Sequence, residues 1–184
     1  ILDGLVGSEM CIRDRTSISK LESVRGRLQS FLSDNKVTVI IDYAHTPDAI
    51  ENVISTINNI KKSNQNLITV IGCGGDRDKD KRPIMGKISS DLSSKVIFTS
   101  DNPRSEDPIK ITNQIAKSLT KKDNYEVINN RKAAIRRSLD FARNNYLILL
   151  LGKGNESKII YKNKEIYHND IKYVESLVRW VYLY

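Results

Sequence analysis

Short runs of β-branched and aliphatic residues alternate along the chain with longer stretches in which apolar residues recur every three or four positions. The short runs are typical of buried strands, and the longer stretches are typical of amphipathic helices. The predicted strands are 36–42, 67–71, 95–99, 125–128 and 146–151. The predicted helices begin at Pro47 behind the N-cap Thr46, at Pro83, at Pro108, at Arg131 (131–143) and at 169–170, the last one running to about Trp180.

A strand followed by a helix thus occurs about five times in succession. Residues 159–161 and 165–167 then predict a β-hairpin, which precedes the final helix. This order predicts an α/β fold with a doubly wound, mainly parallel sheet, helices on both faces, and a C-terminal β-hairpin and helix.

Polar loops follow four of the predicted strands. In a parallel sheet the carboxyl ends of the strands lie along one edge, and ligands bind there. The four loops are 42–47 (DYAHTP), 72–83 (GCGGDRDKDKRP), 100–108 (SDNPRSEDP) and 152–156 (GKGNE). We therefore expect a binding site that is shared by these loops.

The loop 100–108 combines a carboxylate, an amide, a rigid proline and a guanidinium within four residues, Asp101 to Arg104. An arginine binds carboxylates bidentately, whereas Asp or Asn accepts hydrogen bonds from an ammonium group. The combination predicts a receptor for an amino acid. The alternative is an ordinary helix N-terminus in which Asp or Asn is the cap.

The loop 72–83 combines glycines with the cations Arg77, Lys79, Lys81 and Arg82. Glycine lets backbone N–H groups approach an anion closely, so the loop predicts an anion site. Its spacing matches neither a P-loop nor a dinucleotide fingerprint. A solvated charged loop is the alternative.

The other two loops carry mixed chemistry. The loop 42–47 places Asp42, Tyr43 and His45 at a strand end, and the histidine is as typical of a structural turn as of a ligand contact. In 152–156, glycines allow a ligand near the backbone, and a lysine and Glu156 supply opposite charges.

Length and composition indicate what kind of protein this is. The chain has 184 residues, of which 39% are hydrophobic and 28% charged, which suits one globular domain. It shows neither a signal peptide nor an apolar run of about 20 residues, and its two cysteines and two histidines predict neither disulfides nor a metal site. We expect a cytoplasmic protein without a membrane partner.

The net charge of +8 has two interpretations, a nucleic-acid surface or a solvated lysine-rich surface around an anion site. The lysines are dispersed and no basic motif is interleaved with aromatic residues, which favours the second. In residues 1–15 the apolar positions show no clear periodicity, and the segment resembles translated adapter sequence. We therefore expect a non-native leader there. Residues 16–25 are expected to end a preceding domain.

Taken in order, DYAHTPDA, GCGGDRDKDKRPIMG, DNPRSEDP and GKGNE resemble the C-terminal domain of the Mur ligases. Within that family they resemble the members that add the third residue to UDP-N-acetylmuramoyl-L-alanyl-D-glutamate in peptidoglycan synthesis. The resemblance implies that 26–184 is a Rossmann-like domain that closes over ATP and brings the incoming amino acid. It also implies that 16–25 is the tail of a central ATP-binding domain, which the chain lacks.

The resemblance assigns roles to individual residues. In members that use meso-diaminopimelate, that amino acid is bound by the residues matching Arg77, Asp101, Asn102, Pro103, Arg104, Gly152 and Glu156. The nucleotide is faced by those matching Asp42, Tyr43, His45, Lys79, Lys81 and Arg82. Lysine lacks the second carboxylate of diaminopimelate and would leave an arginine unpaired, at about 1–3 kcal/mol or more. Tenfold to over a hundredfold rejection of lysine is therefore implied.

The implied reaction is ATP-dependent amide formation through an acyl phosphate. ATP and Mg²⁺ are implied to be bound mainly by the missing central domain, so we expect no catalytic residue in this chain and no turnover by the chain alone. Two positions depart from the family pattern, Asn155 in place of His and Arg25 in place of Pro. A stand-alone amino-acid or nucleotide-binding module, the L-lysine-adding variant and a nucleic-acid-binding domain are the alternatives. A monomer is expected.

Overall fold

The computed structural model describes residues 24–33, 37–119, 124–142, 146–177 and 180–181. The strands are β1 (Gln29–Ser33), β2 (Thr38–Ile41), β3 (Asn66–Ile71), β4 (Lys95–Phe98), β5 (Tyr125–Val127), β6 (Tyr146–Leu150), β7 (Lys158–Tyr161), β8 (Lys164–Tyr167) and β9 (Trp180–Val181). The helices are α1 (Pro47–Ile60), α2 (Lys81–Leu92), α3 (Pro108–Ala116), α4 (Arg131–Phe141) and α5 (Asp170–Leu177). The predicted leader 1–15 and most of the segment 16–25 lie outside the described residues.

One sheet runs through the domain in the order β5-β4-β3-β6-β2-β1-β9. The neighbours from β5 to β2 pair in parallel, and β1 and β9 add antiparallel strands at one side. Strands β7 and β8 form a separate antiparallel hairpin. The predicted α/β class with a mainly parallel sheet and a C-terminal hairpin is confirmed.

Helices cover both faces of the sheet. Helices α1, α2 and α3 pack with the side chains of Leu147 and Leu149 on one face, whereas α4 and α5 pack with Ile148 and Leu150 on the other. Successive residues of a strand point to opposite faces, so β6 is apolar throughout because both of its faces are buried. The sheet is therefore doubly wound, as predicted.

Proline and polar caps begin the helices at the expected places. Pro47 follows the N-cap Thr46, whose side chain accepts a hydrogen bond from Ala49 N. Pro108 begins α3, but its cap is Asp107, whose Oδ1 accepts from Ile109 N at 2.8 Å. An Asp of the loop 100–108 thus caps the helix, as the alternative for this loop has it, but the cap is Asp107 and the side chains of Asp101 and Asn102 make other contacts.

Two predicted boundaries need correction, and one strand was missed. Helix α2 begins at Lys81 rather than Pro83. The final helix ends at Leu177, and Trp180 pairs with Ser33 in β9 instead of continuing that helix. Strand β1 was not predicted, because its mixed sequence QSFLS acquires its partner from β2 and buries only one large side chain, Phe31, completely.

The topology places the four polar loops side by side. Strands β4, β3, β6 and β2 are consecutive neighbours in the sheet, although β6 comes much later in the chain than β3. Their parallel carboxyl ends carry the loops 100–108, 72–83, 152–156 and 42–47, respectively. One edge of the sheet thus gathers all of the candidate chemistry.

Candidate functional site

The four loops surround a cleft of about 310 Å³ at the carboxyl edge of the sheet. Its lining combines both signs of charge with an apolar patch. The residues that line it are Tyr43, His45, Thr46, Gly72, Cys73, Gly74, Arg77, Asp78, Lys81, Arg82, Met85, Asp101, Asn102, Arg104, Gly152 and Glu156.

The side chain of Asp42 stabilises the loop after β2 by accepting backbone hydrogen bonds. This carboxylate is buried, accepting from Ala44 N at 2.8 Å and from Leu28 N at 2.9 Å. Tyr43 and His45 are thereby placed at the cleft, with their rings edge to face at 4.8 Å between centroids. Asp42 itself does not line the cleft, although we predicted a nucleotide contact there.

The glycine-rich loop and the turn after β4 are joined at Gly75. Its N–H donates to the carbonyl oxygen of Asn102 at 2.9 Å, and its own carbonyl accepts from Arg104 Nη1 at 2.7 Å. A Cβ on Gly75 would lie 1.8 Å from the carbonyl oxygen of Pro103, so only glycine permits this approach. The close contact holds Arg104 against the cleft.

The backbone conformation of Arg104 also helps to fix the position of its side chain. Its φ angle is +52°, in the left-handed region that a non-glycine residue adopts only when its surroundings impose it. Here the N–H of Arg104 donates to the carbonyl of Ile160 at 2.9 Å, which ties the turn to β7. Ser105 N donates to Asp76 Oδ2 at 3.2 Å on the other side. The turn is thus anchored by the hairpin and by the glycine-rich loop together.

The cations predicted to face a nucleotide occupy different environments. Arg77 and Lys81 line the cleft, and Lys81 Nζ lies 3.7 Å from Asp78 Oδ2. The side chain of Lys79 is 61% exposed and lies outside the cleft lining. The guanidinium of Arg82 is buried against Glu106 and also donates to the carbonyl oxygen of Gly74 at 3.1 Å. Its charge is therefore already paired.

A polar network forms the opposite wall of the cleft. Glu156 Oε2 accepts from Lys153 Nζ at 2.8 Å and from Asn102 Nδ2 at 2.9 Å, and its Oε1 accepts from the Tyr43 hydroxyl at 3.3 Å. Lys153 Nζ lies 3.5 Å from Asp101 Oδ1. Burial raises the pKa of Glu156, but the hydrogen bonds from Lys153 and Asn102 outweigh it and bring that pKa below its ordinary value. The carboxylate is ionised at neutral pH.

A buried ion pair supports the 152–156 loop from behind. Arg131 Nη2 donates to Asp170 Oδ2 at 2.6 Å and to the carbonyl of Leu151 at 2.9 Å, directly before Gly152. His168 Nε2 lies 2.6 Å from Asp170 Oδ1. Burial raises the pKa of Asp170, but the adjacent Arg131 guanidinium lowers it well below the usual range. This pair connects α4, α5 and the end of β6.

The cleft contains most of the residues predicted for the site. The predicted amino-acid-binding residues that line it are Arg77, Asp101, Asn102, Arg104, Gly152 and Glu156, and Pro103 does not. The predicted nucleotide-facing residues that line it are Tyr43, His45, Lys81 and Arg82. Their individual roles stay predictions. Asn155, the departure from the family pattern, is exposed and does not line the cleft.

Sequence reasoning missed two features of the site. Cys73 and Met85 form its apolar patch, with their sulfur atoms 3.6 Å apart, and burial raises the pKa of the Cys73 thiol to about 12. Lys153, whose charge was noted without a role, is fully buried at the centre of the polar network. The GKGNE motif contains this lysine, but only the fold reveals its burial.

Two classes of feature are absent from the part of the chain that the structure describes. No group of three or more His, Cys, Asp or Glu residues there could hold a metal ion. None of the helices in those ranges has the length and apolar character to cross a membrane.

Comparison with known proteins identifies related sequences. The family model for the Mur ligase, glutamate ligase domain, matches residues 26–154. A UDP-N-acetylmuramoyl-L-alanyl-D-glutamate–2,6-diaminopimelate ligase of Clostridium botulinum is 41% identical over 167 residues, which are 90% of this chain and 34% of that protein. The ligase of the same name from Clostridium perfringens is 47% identical over 141 residues, or 77% of this chain and 28% of that protein. The chain thus spans about a third of these curated relatives.

A solved structure shows the same domain. The structure of a UDP-N-acetylmuramoyl-L-alanyl-D-glutamate–2,6-diaminopimelate ligase superposes with a TM-score of 0.76 and 33% sequence identity. The match covers 88% of this chain and 33% of that one.

Proposed function

Because the chain belongs to the Mur ligase family, whose glutamate ligase domain it contains, we propose that it is the C-terminal domain of an ATP-dependent ligase. The ligase adds meso-2,6-diaminopimelate to UDP-N-acetylmuramoyl-L-alanyl-D-glutamate during peptidoglycan synthesis. It acts in the cytoplasm, as a monomer, on small molecules only. The family membership that the four motifs predicted is confirmed, whereas the substrate is our proposal.

One observation supports the choice of amino acid. Arg77 and Arg104 line the same cleft as the acidic side chains of Asp101 and Glu156. Diaminopimelate has two carboxylates and two ammonium groups. Arg77 and Arg104 provide guanidinium groups for a carboxylate, because their fork matches its two oxygens. Asp101, Asn102 and Glu156 provide acceptors for an ammonium group. The charges of the cleft therefore complement one end of diaminopimelate, where a carboxylate and an ammonium group share a carbon atom.

The nucleotide side of the cleft is the half formed by Tyr43, His45 and Lys81. An exposed lysine and glycine-rich backbone suit a triphosphate, and an aromatic residue suits a nucleobase or ribose. The described residues offer no metal site, so magnesium and the remaining phosphate contacts belong to the central domain. Magnesium held there would supply charge neutralisation for phosphoryl transfer.

The contribution of this domain to the reaction is orientation. The D-glutamyl γ-carboxylate attacks the γ-phosphorus of ATP, ADP leaves, and the amine of diaminopimelate then displaces phosphate from the acyl carbon while losing a proton. By holding one end of diaminopimelate, Arg104 and Glu156 leave the other amine directed out of the cleft. Closure over the acyl phosphate would exclude water and bring the amine to the acyl carbon.

The decisive experiment uses the full-length protein from the complete reading frame. Phosphate release is measured with the UDP-dipeptide and ATP, with either meso-diaminopimelate or L-lysine as the acceptor. We expect kcat/KM for diaminopimelate to exceed that for lysine at least tenfold. Equal use of both would refute the specificity, and preference for lysine would identify the lysine-adding variant.

Variants of the full-length enzyme test the role of Arg104. Arg104→Ala should raise KM for diaminopimelate at least tenfold and change KM for ATP less than twofold. Arg136→Ala, which removes an exposed arginine of α4, is the matched control and should change neither. Comparable losses for both substrates in Arg104→Ala would contradict the assigned role.

A stand-alone binding module is the second candidate. The four loops of this chain form the cleft by themselves, which is the observation that favours it. A reading frame without an upstream P-loop domain would support the module, and so would turnover-independent binding of an amino acid by that protein. Under our proposal the chain alone releases no phosphate.

A further inference from the structure

Lys153 is a buried cation in the wall of the proposed amino-acid site. It has no exposed surface, whereas the other lysines within the described ranges are at least partly exposed. A buried ammonium is costly unless it is paired and hydrogen-bonded. The Nζ atom lies 2.8 Å from Glu156 Oε2, 3.0 Å from Asn102 Oδ1 and 3.5 Å from Asp101 Oδ1. All three partners are residues that we propose for binding the ammonium group of the substrate.

This contact determines how the amide of Asn102 is oriented. An ammonium group is only a donor, so the atom of Asn102 that faces Lys153 must be the oxygen. The same oxygen also accepts from the backbone N–H of Ile160 at 3.0 Å. The amide nitrogen is therefore directed at Glu156 Oε2, at 2.9 Å. Lys153 and the N–H of Ile160 together thus set the direction of the Asn102 oxygen and of its amide nitrogen.

The same contact leaves one oxygen of Glu156 for the ligand. Oε2 is occupied by Lys153 and Asn102, whereas Oε1 has only the longer hydrogen bond from Tyr43, at 3.3 Å. Oε1 also belongs to a residue of the cleft lining. An incoming ammonium can therefore bind Oε1 without displacing the buried lysine.

We propose that Lys153 is a positioning residue for amino-acid recognition: it holds the side chains of Glu156, Asn102 and Asp101 in a fixed arrangement, the acceptor array, without contacting the substrate. The proposal rests on the proposed function, since it assumes that the ligand is an amino acid. The proposed role of Lys153 requires only that the ligand carry an ammonium group, and both diaminopimelate and lysine do. The array keeps a net negative charge, because two carboxylates face one lysine.

Ionisation of the array gives the proposal a pH signature. Lys153, Asn102 and Tyr43 hydrogen-bond Glu156, and the buried Arg131 interacts with it electrostatically. Without the hydrogen bond from Lys153, the pKa of Glu156 rises, because burial raises it and fewer contacts oppose that effect. A protonated Glu156 accepts an ammonium poorly, so the loss appears as the pH falls.

The test compares Lys153→Met, Glu156→Gln and the double variant in the full-length enzyme. Lys153→Met should raise KM for diaminopimelate tenfold to a hundredfold and change KM for ATP less than twofold. As the pH is lowered, its KM for diaminopimelate should begin to rise at a higher pH than that of the wild-type enzyme. A purely structural role would lower the amount of folded enzyme but would not produce this pH dependence.

The double variant covers the case in which Lys153→Met does not fold. Glu156→Gln should raise KM for diaminopimelate with no dependence on pH. Lys153→Met added to Glu156→Gln should then raise KM by a smaller factor than Lys153→Met does in the wild-type enzyme, because one of the three side chains that the lysine orders has lost its charge. Additive losses, or a Lys153→Met enzyme with the wild-type KM and pH profile, would overturn the proposal.

The two proposals fail in different ways. If the wild-type enzyme prefers L-lysine, the proposed substrate is wrong, and the Lys153 variants are assayed with lysine, for which the same changes are expected. If the wild-type enzyme uses diaminopimelate but Lys153→Met behaves like the wild type, only the role of Lys153 is wrong. An enzyme that uses neither amino acid would overturn both.

Discussion

The guanidinium of Arg82 binds both carboxylate oxygens of Glu106, with Nη1 2.9 Å from Oε2 and Nη2 2.8 Å from Oε1. Arg82 lies in the first turn of α2, where the loop 72–83 ends, and Glu106 lies in the loop 100–108. This pair therefore joins two of the four loops of the cleft. Glu106 Oε1 also accepts from Asp76 N at 2.7 Å. We predicted a nucleotide contact for Arg82, and its bidentate pairing assigns it a second task, which is to hold the loops together.

Glu106→Gln should destabilise the full-length protein by about 2 kcal/mol, because a bidentate charge-assisted pair is replaced by neutral hydrogen bonds. Chemical denaturation at pH 7 measures this change in the free energy of unfolding. Glu165→Gln, which alters a half-exposed ion pair in the hairpin, is the matched control and should cost about 0–1 kcal/mol. Equal effects of the two variants would contradict the importance of the Arg82 pair.

The same pair predicts a pH dependence of stability. Hydrogen bonds from Arg82 lower the pKa of Glu106 from 4.5 to about 2. A carboxylate whose pKa is lower in the folded state stabilises that state above its unfolded pKa, and the contribution is lost as the pH falls towards the folded pKa. Wild-type stability should therefore fall between pH 4.5 and pH 2 more steeply than that of Glu106→Gln. Parallel curves for the two proteins would contradict the prediction.

Arg131→Met should destabilise the protein by about 3–5 kcal/mol, because it leaves the buried Asp170 without its cation. Arg137→Met is the control, since its pair with Glu126 is partly exposed, Glu126 keeps Lys95 as a second cation, and the pair contributes about 0–1 kcal/mol. Urea denaturation of each variant gives the free energies of unfolding. The double variant Arg131→Met with Asp170→Asn should lose less than the sum of the two single variants, and strict additivity would contradict their direct pairing.

Gly75→Ala should impair amino-acid binding far more than Gly74→Ala. The new Cβ at Gly75 would lie 1.8 Å from the carbonyl oxygen of Pro103, so backbone must move and Arg104 loses its acceptor. At Gly74 the nearest atom is Arg104 Nη1 at 2.9 Å, the end of a flexible side chain that can shift. KM for diaminopimelate should rise at least tenfold in Gly75→Ala and about threefold or less in Gly74→Ala. The reverse order would refute this account of the loop contact.

Tyr43→Phe tests whether the nucleotide side of the cleft affects the amino-acid side. The lost hydrogen bond to Glu156 is long, so we expect a cost of about 0.5–1 kcal/mol, a twofold to fivefold increase in KM for diaminopimelate. Tyr167→Phe removes an exposed hydroxyl from the hairpin and should leave KM unchanged. Steady-state kinetics at saturating ATP separate the two outcomes, and an unchanged KM in Tyr43→Phe would show that this contact does not affect binding.

Local patterns were sufficient for much of the fold. The apolar runs predicted β2 to β6, and Thr46 followed by Pro47 predicted the start of α1, because capping and strand burial depend on neighbouring residues. The same patterns failed for β1 and for Trp180. Trp180 pairs with β1, which lies far earlier in the chain, so no short window of sequence contains both strands. Strand β1 pairs with the next strand, β2, but its own mixed sequence QSFLS has no apolar run that would mark it as a strand.

The sequence by itself determined which residues bring chemistry to the strand ends, since loop composition follows directly from the order of residues. Only the tertiary structure decided how they meet. Insertion of β6 between β2 and β3 places Glu156 beside Tyr43 and Asn102, which are 113 and 54 positions away. It likewise buries Lys153 among two carboxylates. Such contacts depend on strand order and burial, which arise from packing of the whole sheet and not from any local segment.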